Sequence, residues 1–589
     1  MRRAGAVAAL ASVAFVIGTI VGAAHSGSPA GELAGRFVSA WARGDYTGMY
    51  ADIDASAQRG VSPEEFARVY AGALRTATAT RVVVSGHPRV EPAGLVAVPV
   101  RVHTRLFGPL ALDFHVKLTG GEEGDRIAWT PSLAFPGLYP GERLVRQTNL
   151  PRRATLLASD GTVLAESPQA PASGGDAEAG QRPSPLGPAA SAVVGEVGPV
   201  PAVQRAALSA EGVAPSATVG VSGLELALDA QLRGAPGGEL IARGPQGSER
   251  VLAAATPRPA APVRTTVSPP VQRAAVAALG GQLGGVVALA PASGQILAVA
   301  GLGLDSVQPP GSTFKMVTVT GVLAANIANP QTVFPYATYA TLDGVRLNDA
   351  NGEECGGTLE LAFAVSCNSV FAPLGVKLGA ARLVATAEAF GFNQRPPILG
   401  AATSTLPPAS QIQGELDLGS TAIGQGRVLA SALQMALVAA TIGNGGSRPQ
   451  PTFTPGPPAP RLPVTSAAVA RTVRHLMIEV VREGTGTSAA IPGVTVAGKT
   501  GTAELRTLGG CSPPGEAGAQ AAAASGQEGC GAASEASNTD AWFAAFAPAI
   551  HPRVAVGVML VKDGAGGDTA APVAREVLEA ALQATHQPS

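Results

Sequence analysis

Ser312 and Lys315 lie three residues apart in the stretch Pro309-Pro310-Gly311-Ser312-Thr313-Phe314-Lys315-Met316-Val317. Proline and glycine punctuate a loop, and the apolar run from Met316 to Ala325 is long enough for a buried helix. The pattern predicts a sharp helix start with Ser312 in its first turn. Positions three apart share a helix face, which puts Lys315 within reach of the Ser312 hydroxyl. First-turn N–H groups have no helical partner, and the positive end of the helix dipole lies behind them. A nucleophile, a candidate base and an anion-friendly backbone are thus packed into four residues. Taken alone, the spacing also suits a salt-bridged surface lysine, the commoner fate of that residue.

Context narrows the choice. The chain has only Lys117, Lys315, Lys377, Lys499 and Lys562, with arginine carrying most of the positive charge. One of these few opens Lys499-Thr500-Gly501-Thr502-Ala503-Glu504, and Ser366-Cys367-Asn368 lies between the two lysine motifs. Ser-x-x-Lys, Ser-x-Asn and Lys-Thr-Gly in this order form the motif set of penicillin-binding proteins and class A β-lactamases. The chain resembles a class B penicillin-binding protein, a monofunctional peptidoglycan D,D-transpeptidase.

The resemblance implies a role for each motif. Ser312 would attack the carbonyl of a stem peptide ending in D-Ala-D-Ala, or a β-lactam. A hydroxyl needs a base, and no histidine lies between His115 and His475, so Lys315 would serve while neutral. Burial and a nearby Lys499 cation would both depress its pKa. Ser366 would relay a proton to the leaving amine, and Asn368 would hold Lys315 and the substrate backbone. Taken alone, Ser366 and Asn368 read more readily as a helix cap and a turn residue, and only their position between the other motifs reverses that reading. Lys499 would supply positive potential on an edge strand with Thr500, and Thr502 would contact the substrate carboxylate. Gly501 would let the substrate backbone lie close to that strand. The N–H groups of Ser312 and Thr502 would form the oxyanion hole. No metal or organic cofactor is expected.

Composition excludes other classes. With 41 Lys+Arg against 42 Asp+Glu among 589 residues and no basic block, nucleic-acid binding is not expected. No Cys-x-x-Cys pair or His-Glu-x-x-His helix is present. Cys355–Cys367 and Cys511–Cys530 are candidate disulfides by proximity in an exported chain, against the alternative of four free buried thiols. His87, His103 and His115 read as ordinary strand or loop residues.

The implied architecture is multidomain α+β. Residues 1–28 carry two arginines and then an uncharged run, Ala4 to Ala24, of bilayer-spanning length. They are expected to be a single-pass membrane anchor with the rest extracytoplasmic; a cleaved signal peptide is the rival reading. Residues 29–137 begin with helical repeats at Leu33, Phe37 and Trp41 and a Ser62-Pro63-Glu64-Glu65 capping box. Alternating strands follow, a pattern resembling a nuclear-transport-factor-like α+β cone domain. Residues 138–263, with a Pro/Gly/Ala/Ser-rich linker at 166–190, resemble the family's pedestal or dimerisation region. Their lack of large side chains argues against a large independent core. Residues 264–585 are expected to form a transpeptidase domain like that of penicillin-binding proteins and serine β-lactamases, an antiparallel sheet flanked by helices. A membrane glycosyltransferase is the expected partner. The competing functions are a D,D-carboxypeptidase or serine β-lactamase on the same scaffold, or a non-catalytic β-lactam sensor.

Overall fold

The computed structural model describes residues 28–121, 124–166, 179–504 and 539–584. They form two compact units. The first comprises the described residues up to Arg153, with Pro199–Ala217 and Arg233–Ala260; the second holds Ala154–Gly198, Thr218–Leu232 and everything from Ala261 onward. The 138–263 segment therefore contributes to both cores rather than building its own, as its shortage of large side chains requires.

In the first unit, helix α1 (Pro29–Arg43) starts where the Ser28 hydroxyl accepts a hydrogen bond from the Gly31 N–H. Helix α2 (Pro63–Thr76) starts at Ser62, which caps the Glu65 N–H at 3.2 Å. Leu33, Phe37 and Trp41 form the buried stripe of α1 expected from their spacing. They pack on an antiparallel sheet ordered β1 (Ala79–Val84), β2 (Leu95–Thr104), β3 (Gly108–Gly121) and β4 (Gly124–Ile127), with short strand Arg89–Glu91 also pairing with β2. Phe114 from β3 meets Phe37 and Trp41 edge-on, a geometry favoured by aromatic quadrupoles. A second sheet in this unit sets β6 (Gly237–Arg243) between β5 (Arg143–Asn149) and β7 (Glu249–Ala255), and Leu240 joins the same core.

The second unit is built on a five-stranded antiparallel sheet. Helix α3 (Pro269–Leu279) precedes strands β8 (Gly284–Leu289) and β9 (Ile296–Gly301). Helices α4 (Lys315–Ala324), α5 (Leu359–Ala364), α6 (Asn368–Leu378), α7 (Ala432–Gly443) and α8 (Ala467–Arg482) follow, then strands β10 (Ala497–Glu504), β11 (Thr539–Ala547) and β12 (Val554–Leu560) and helix α9 (Ala570–Ala584). Strand order is β9–β8–β12–β11–β10, which leaves β10 at an edge. Alternate residues Ala541, Phe543 and Ala545 of β11 and Val554, Val556 and Val558 of β12 join α3 and α9 in one core. The opposite face of the sheet receives α7, every residue of which is buried. That helix can approach only because position 557 is glycine: a Cβ there would sit 2.2 Å from the Ala432 carbonyl oxygen.

In the pedestal portion of this unit, Arg182 and Glu225 form a buried ion pair at 2.6 Å. Arg182 also donates to the Ala154 and Glu166 carbonyls, so the buried charge is well satisfied. Among the described residues no single helix is long and apolar enough to cross a membrane. The Ala4–Ala24 run and the cysteines Cys511 and Cys530 lie outside the described residues.

Gly557→Val should force α7 off the sheet and destabilise this unit by roughly 1–3 kcal/mol, as overpacking does elsewhere. Urea unfolding followed by tryptophan fluorescence would measure it, and an unchanged midpoint would contradict the packing described.

Candidate active site

The Ser312 turn is held from two sides. Residues Gly311–Phe314 make a 3₁₀ turn that runs directly into α4, a slight departure from the α-helical first turn expected. On one side the Gly311 N–H donates to the Gly424 carbonyl at 3.0 Å. On the other, edge strand β10 comes so close that a Cβ on Gly501 would lie 2.6 Å from the Pro310 oxygen. Gly311 itself has φ +50 and faces the Thr502 carbonyl, with no room for a side chain. The sequence suggested that Gly501 makes space for a substrate. Its immediate neighbours are Pro310 and Thr313, so the glycine also lets the motif strand and the serine turn touch.

Lys315 is fully buried at the start of α4. Its Nζ donates to the Ser366 carbonyl at 2.6 Å, to Asn368 Oδ1 at 2.7 Å and to Ser366 Oγ at 3.3 Å. None of these bonds reaches Ser312, although the two residues are one turn apart. Three good acceptors on the Ser366 side hold the amine there, and catalytic hydrogen bonds are often loose without substrate. Asn368 is fixed at both ends, since its Nδ2 donates to the Asn348 carbonyl at 2.9 Å.

Lys499 arrives from β10, where it pairs with Ala544 of β11. It too is fully buried, and its Nζ donates to Ser366 Oγ at 2.8 Å and to the Thr500 carbonyl at 3.1 Å. One hydroxyl thus serves two lysines. Burial, the proximity of Lys499 and an opposing pull from Asp349 leave the Lys315 pKa well below the usual lysine range. Burial alone pushes Lys499 down to about 7. Ser366 adopts φ +68, a left-handed conformation uncommon outside glycine and one that marks it for inspection.

Two further motif residues make contacts within the protein. The Thr500 side chain is buried with its hydroxyl 2.6 Å from that of Thr485, and Thr502 Oγ1 accepts from the Gly566 N–H at 3.4 Å.

The sequence reading missed Asp349. Its Oδ1 accepts from the N–H groups of Asn368 and Ser369, the latter at 3.0 Å. This is a helix cap supplied from outside the helix. The residue in the cap position, Cys367, is joined to Cys355 by a disulfide and makes no side-chain cap bond. Asp349 is nineteen residues from Asn368 in the chain, so no local pattern reveals the cap.

An antiparallel sheet with a serine turn against its edge strand and two buried lysines meeting at a second serine define the penicillin-binding-protein and serine β-lactamase class of fold. The chain belongs to the penicillin-binding-protein transpeptidase family. Residues 284–579 match the family model "Penicillin binding protein transpeptidase domain", residues 177–265 the "Penicillin-binding Protein dimerisation domain", and residues 29–142 the "NTF2-like N-terminal transpeptidase domain". The chain is 34% identical over 386 residues to the peptidoglycan D,D-transpeptidase PbpA of Mycolicibacterium smegmatis, covering 54% of this chain and 72% of that one. The PbpA of Mycobacterium tuberculosis is equally similar, 34% identical over 388 residues with the same coverage. Among solved structures, PBPA from M. tuberculosis matches with a TM-score of 0.54 and 27% identity, covering 73% of this chain and 99% of that one. A ceftriaxone acyl-enzyme complex of penicillin-binding protein A from the same organism matches with a TM-score of 0.55 and 27% identity, over 73% and 98%. The D,D-transpeptidase domain of a peptidoglycan glycosyltransferase from Eggerthella lenta gives 0.56 and 29%, over 74% and 99%.

Asp349→Ala should remove the cap and cost about 0.5–2 kcal/mol, whereas Asp349→Asn, which keeps an acceptor oxygen, should cost markedly less. Equal losses in a denaturant titration of the two variants would show that the cap is not what the carboxylate supplies.

Proposed function

We propose that this chain is a D,D-transpeptidase that crosslinks peptidoglycan stem peptides through an ester on Ser312. The observation that carries the reading is the Ser366 hydroxyl bonded to both buried lysines, of which Lys315 lies one helical turn from Ser312. A hydroxyl can accept from one amine while donating to another, so a neutral and a charged lysine joined by Ser366 make a path for a proton.

In this reading neutral Lys315 takes the Ser312 proton as the serine oxygen bonds to the carbonyl carbon of the penultimate D-alanine. The N–H groups of Ser312 and Thr502 stabilise the oxyanion, and loss of one such donor typically costs ~10²–10³ in rate. The proton passes through Ser366 to the leaving D-alanine nitrogen as the C–N bond breaks. An acceptor amine then attacks the ester, its proton returns along the same path, and Ser312 is freed. Asn368 keeps Lys315 in place. Lys499, with Thr500 beside it and Thr502 further along the strand, attracts the terminal carboxylate. A β-lactam enters by the first half of this sequence and remains as a slowly released ester.

The Ala4–Ala24 run supports a single-pass anchor with the catalytic domain outside the cell membrane, and the Cys355–Cys367 disulfide suits an oxidising compartment. Domain limits of 1–28, 29–137, 138–263 and 264–585 fit this layout, with a membrane glycosyltransferase supplying the glycan strands.

Fluorescent penicillin should label the native chain persistently and Ser312→Ala not at all. Nitrocefin turnover should be slow, and rapid turnover would instead favour a β-lactamase. The second-order acylation rate reports the free enzyme. Burial and the neighbouring Lys499 hold Lys315 well below its usual range, which favours its neutral form. Lys499 loses its proton above about 7. Acylation by penicillin should therefore fall on the alkaline side of about pH 7 as the cation that attracts the carboxylate is lost. A rate that stays flat from pH 6 to 9 would remove Lys499 from that role.

A further inference from the structure

Helix α5 leads directly into Ser366, and its second residue is Glu360. Helix α8 packs against α5 and carries His475 and Glu479 one turn apart, on the same face. His475 Nε2 lies 3.3 Å from Glu360 Oε1, and its Nδ1 lies 3.9 Å from Glu479 Oε1. One ligand atom from each of the three residues lies within 4.8 Å of the others.

Glu479 is the informative member. It is 96% buried, since its relative exposure is only 4%. Its Oε2 is held in an ion pair by Arg482, while its Oε1 faces His475 with no hydrogen-bond partner. A buried carboxylate oxygen left without a donor has given up its hydration with nothing in return. The imidazole beside it is too distant, at 3.9 Å, to supply that donor.

We propose that Glu360, His475 and Glu479 form a binding site for a divalent transition-metal ion of the zinc class that ties α5 to α8. The donor chemistry fits. One imidazole and two carboxylates, with no thiolate, suit zinc and its neighbours, whereas magnesium favours an octahedron of oxygens. Two carboxylates balance the ion's charge, and a water completes a tetrahedron. Zinc bonds of ~2.0–2.2 Å require the ligand atoms to close to roughly 3.5 Å of one another. Half-exposed His475 can supply that adjustment by a side-chain rotation, with Glu479 as the fixed anchor. Arg482 then becomes the outer partner that orients a ligating carboxylate.

The location gives such an ion a consequence. Helix α5 ends at Ala364, whose carbonyl accepts from the Thr485 N–H at 3.1 Å, and the Thr485 hydroxyl bonds that of Thr500. A metal joining α5 to α8 would brace both the approach to Ser366 and the strand that carries Lys499.

The test uses the untagged full-length chain in detergent, stripped with chelator under non-reducing conditions and titrated with zinc sulfate. One equivalent should bind and thermal unfolding should shift upward by several degrees, with magnesium giving no shift. His475→Ala and Glu360→Gln alter side chains that reach solvent. Each should weaken zinc binding at least tenfold and abolish the shift, while His115→Ala, remote from the site, should retain both. Zinc that leaves unfolding unmoved, or that binds His475→Ala as tightly as the native chain, would overturn the proposal. So would a His475→Ala loss of stability that is the same with and without zinc, because the histidine would then act only as a bridge between the two carboxylates.

Discussion

Two lysine amines share one serine hydroxyl, and most of the second unit is arranged around that constraint. An ammonium removed from water is costly, and two of them a few ångströms apart more so. The cost is limited in two ways. Each amine receives fixed acceptors: two oxygens of Ser366 and the Asn368 amide for Lys315, and the Ser366 hydroxyl and the Thr500 carbonyl for Lys499. Both pKa values also fall, so the pair need not carry two full charges near neutrality. The feature that burdens the fold is the one on which the proposed role of Lys315 as a base rests.

Holding that geometry takes contributions from distant parts of the chain. The left-handed backbone at Ser366 is fixed on its C-terminal side by α6, whose first N–H groups are capped by Asp349, while the neighbouring cysteine is committed to Cys355. On its N-terminal side α5 packs on α8, and α8 packs on β10. Asp349 has two effects: it secures the helix that presents Asn368, and its charge partly offsets the forces that deprotonate Lys315. Its second oxygen is buried without a hydrogen-bond partner.

The candidate site was legible because its members are rare types at fixed spacings. With five lysines in 589 residues, the two preceding Met316 and Thr500 stood out, and their order around Ser366 did the rest. Helix faces such as Leu33, Phe37 and Trp41 were legible for a similar reason, since local periodicity determines which side is buried. Contacts made through space were not. The trans cap from Asp349, the pairing of Thr500 with Thr485 and the division of the pedestal between two cores depend on residues far apart in sequence. The carboxylates around His475 escaped notice too. His475 and Glu479 show the four-residue spacing of a helical ligand pair, but Glu360 is more than a hundred residues away.

Glycine makes the coupling between motifs mechanical as well as electrostatic. Gly501 abuts Pro310 and Thr313, Gly311 abuts the Thr502 carbonyl, and Gly424 abuts the Gly311 carbonyl, each with no space for a Cβ. The serine turn is therefore clamped between the edge strand and the Gly424 loop, with backbone against backbone. In such a clamp no side-chain rotamer can take up error, so the N–H groups of Ser312 and Thr502 are positioned by the fold itself. Electrostatic stabilisation of an oxyanion depends on donors that need no rearrangement as charge develops. A side chain at any of these three glycines would displace the turn that carries Ser312. The spacing between motifs is thus as much a part of the site as the lysines and serines they contain.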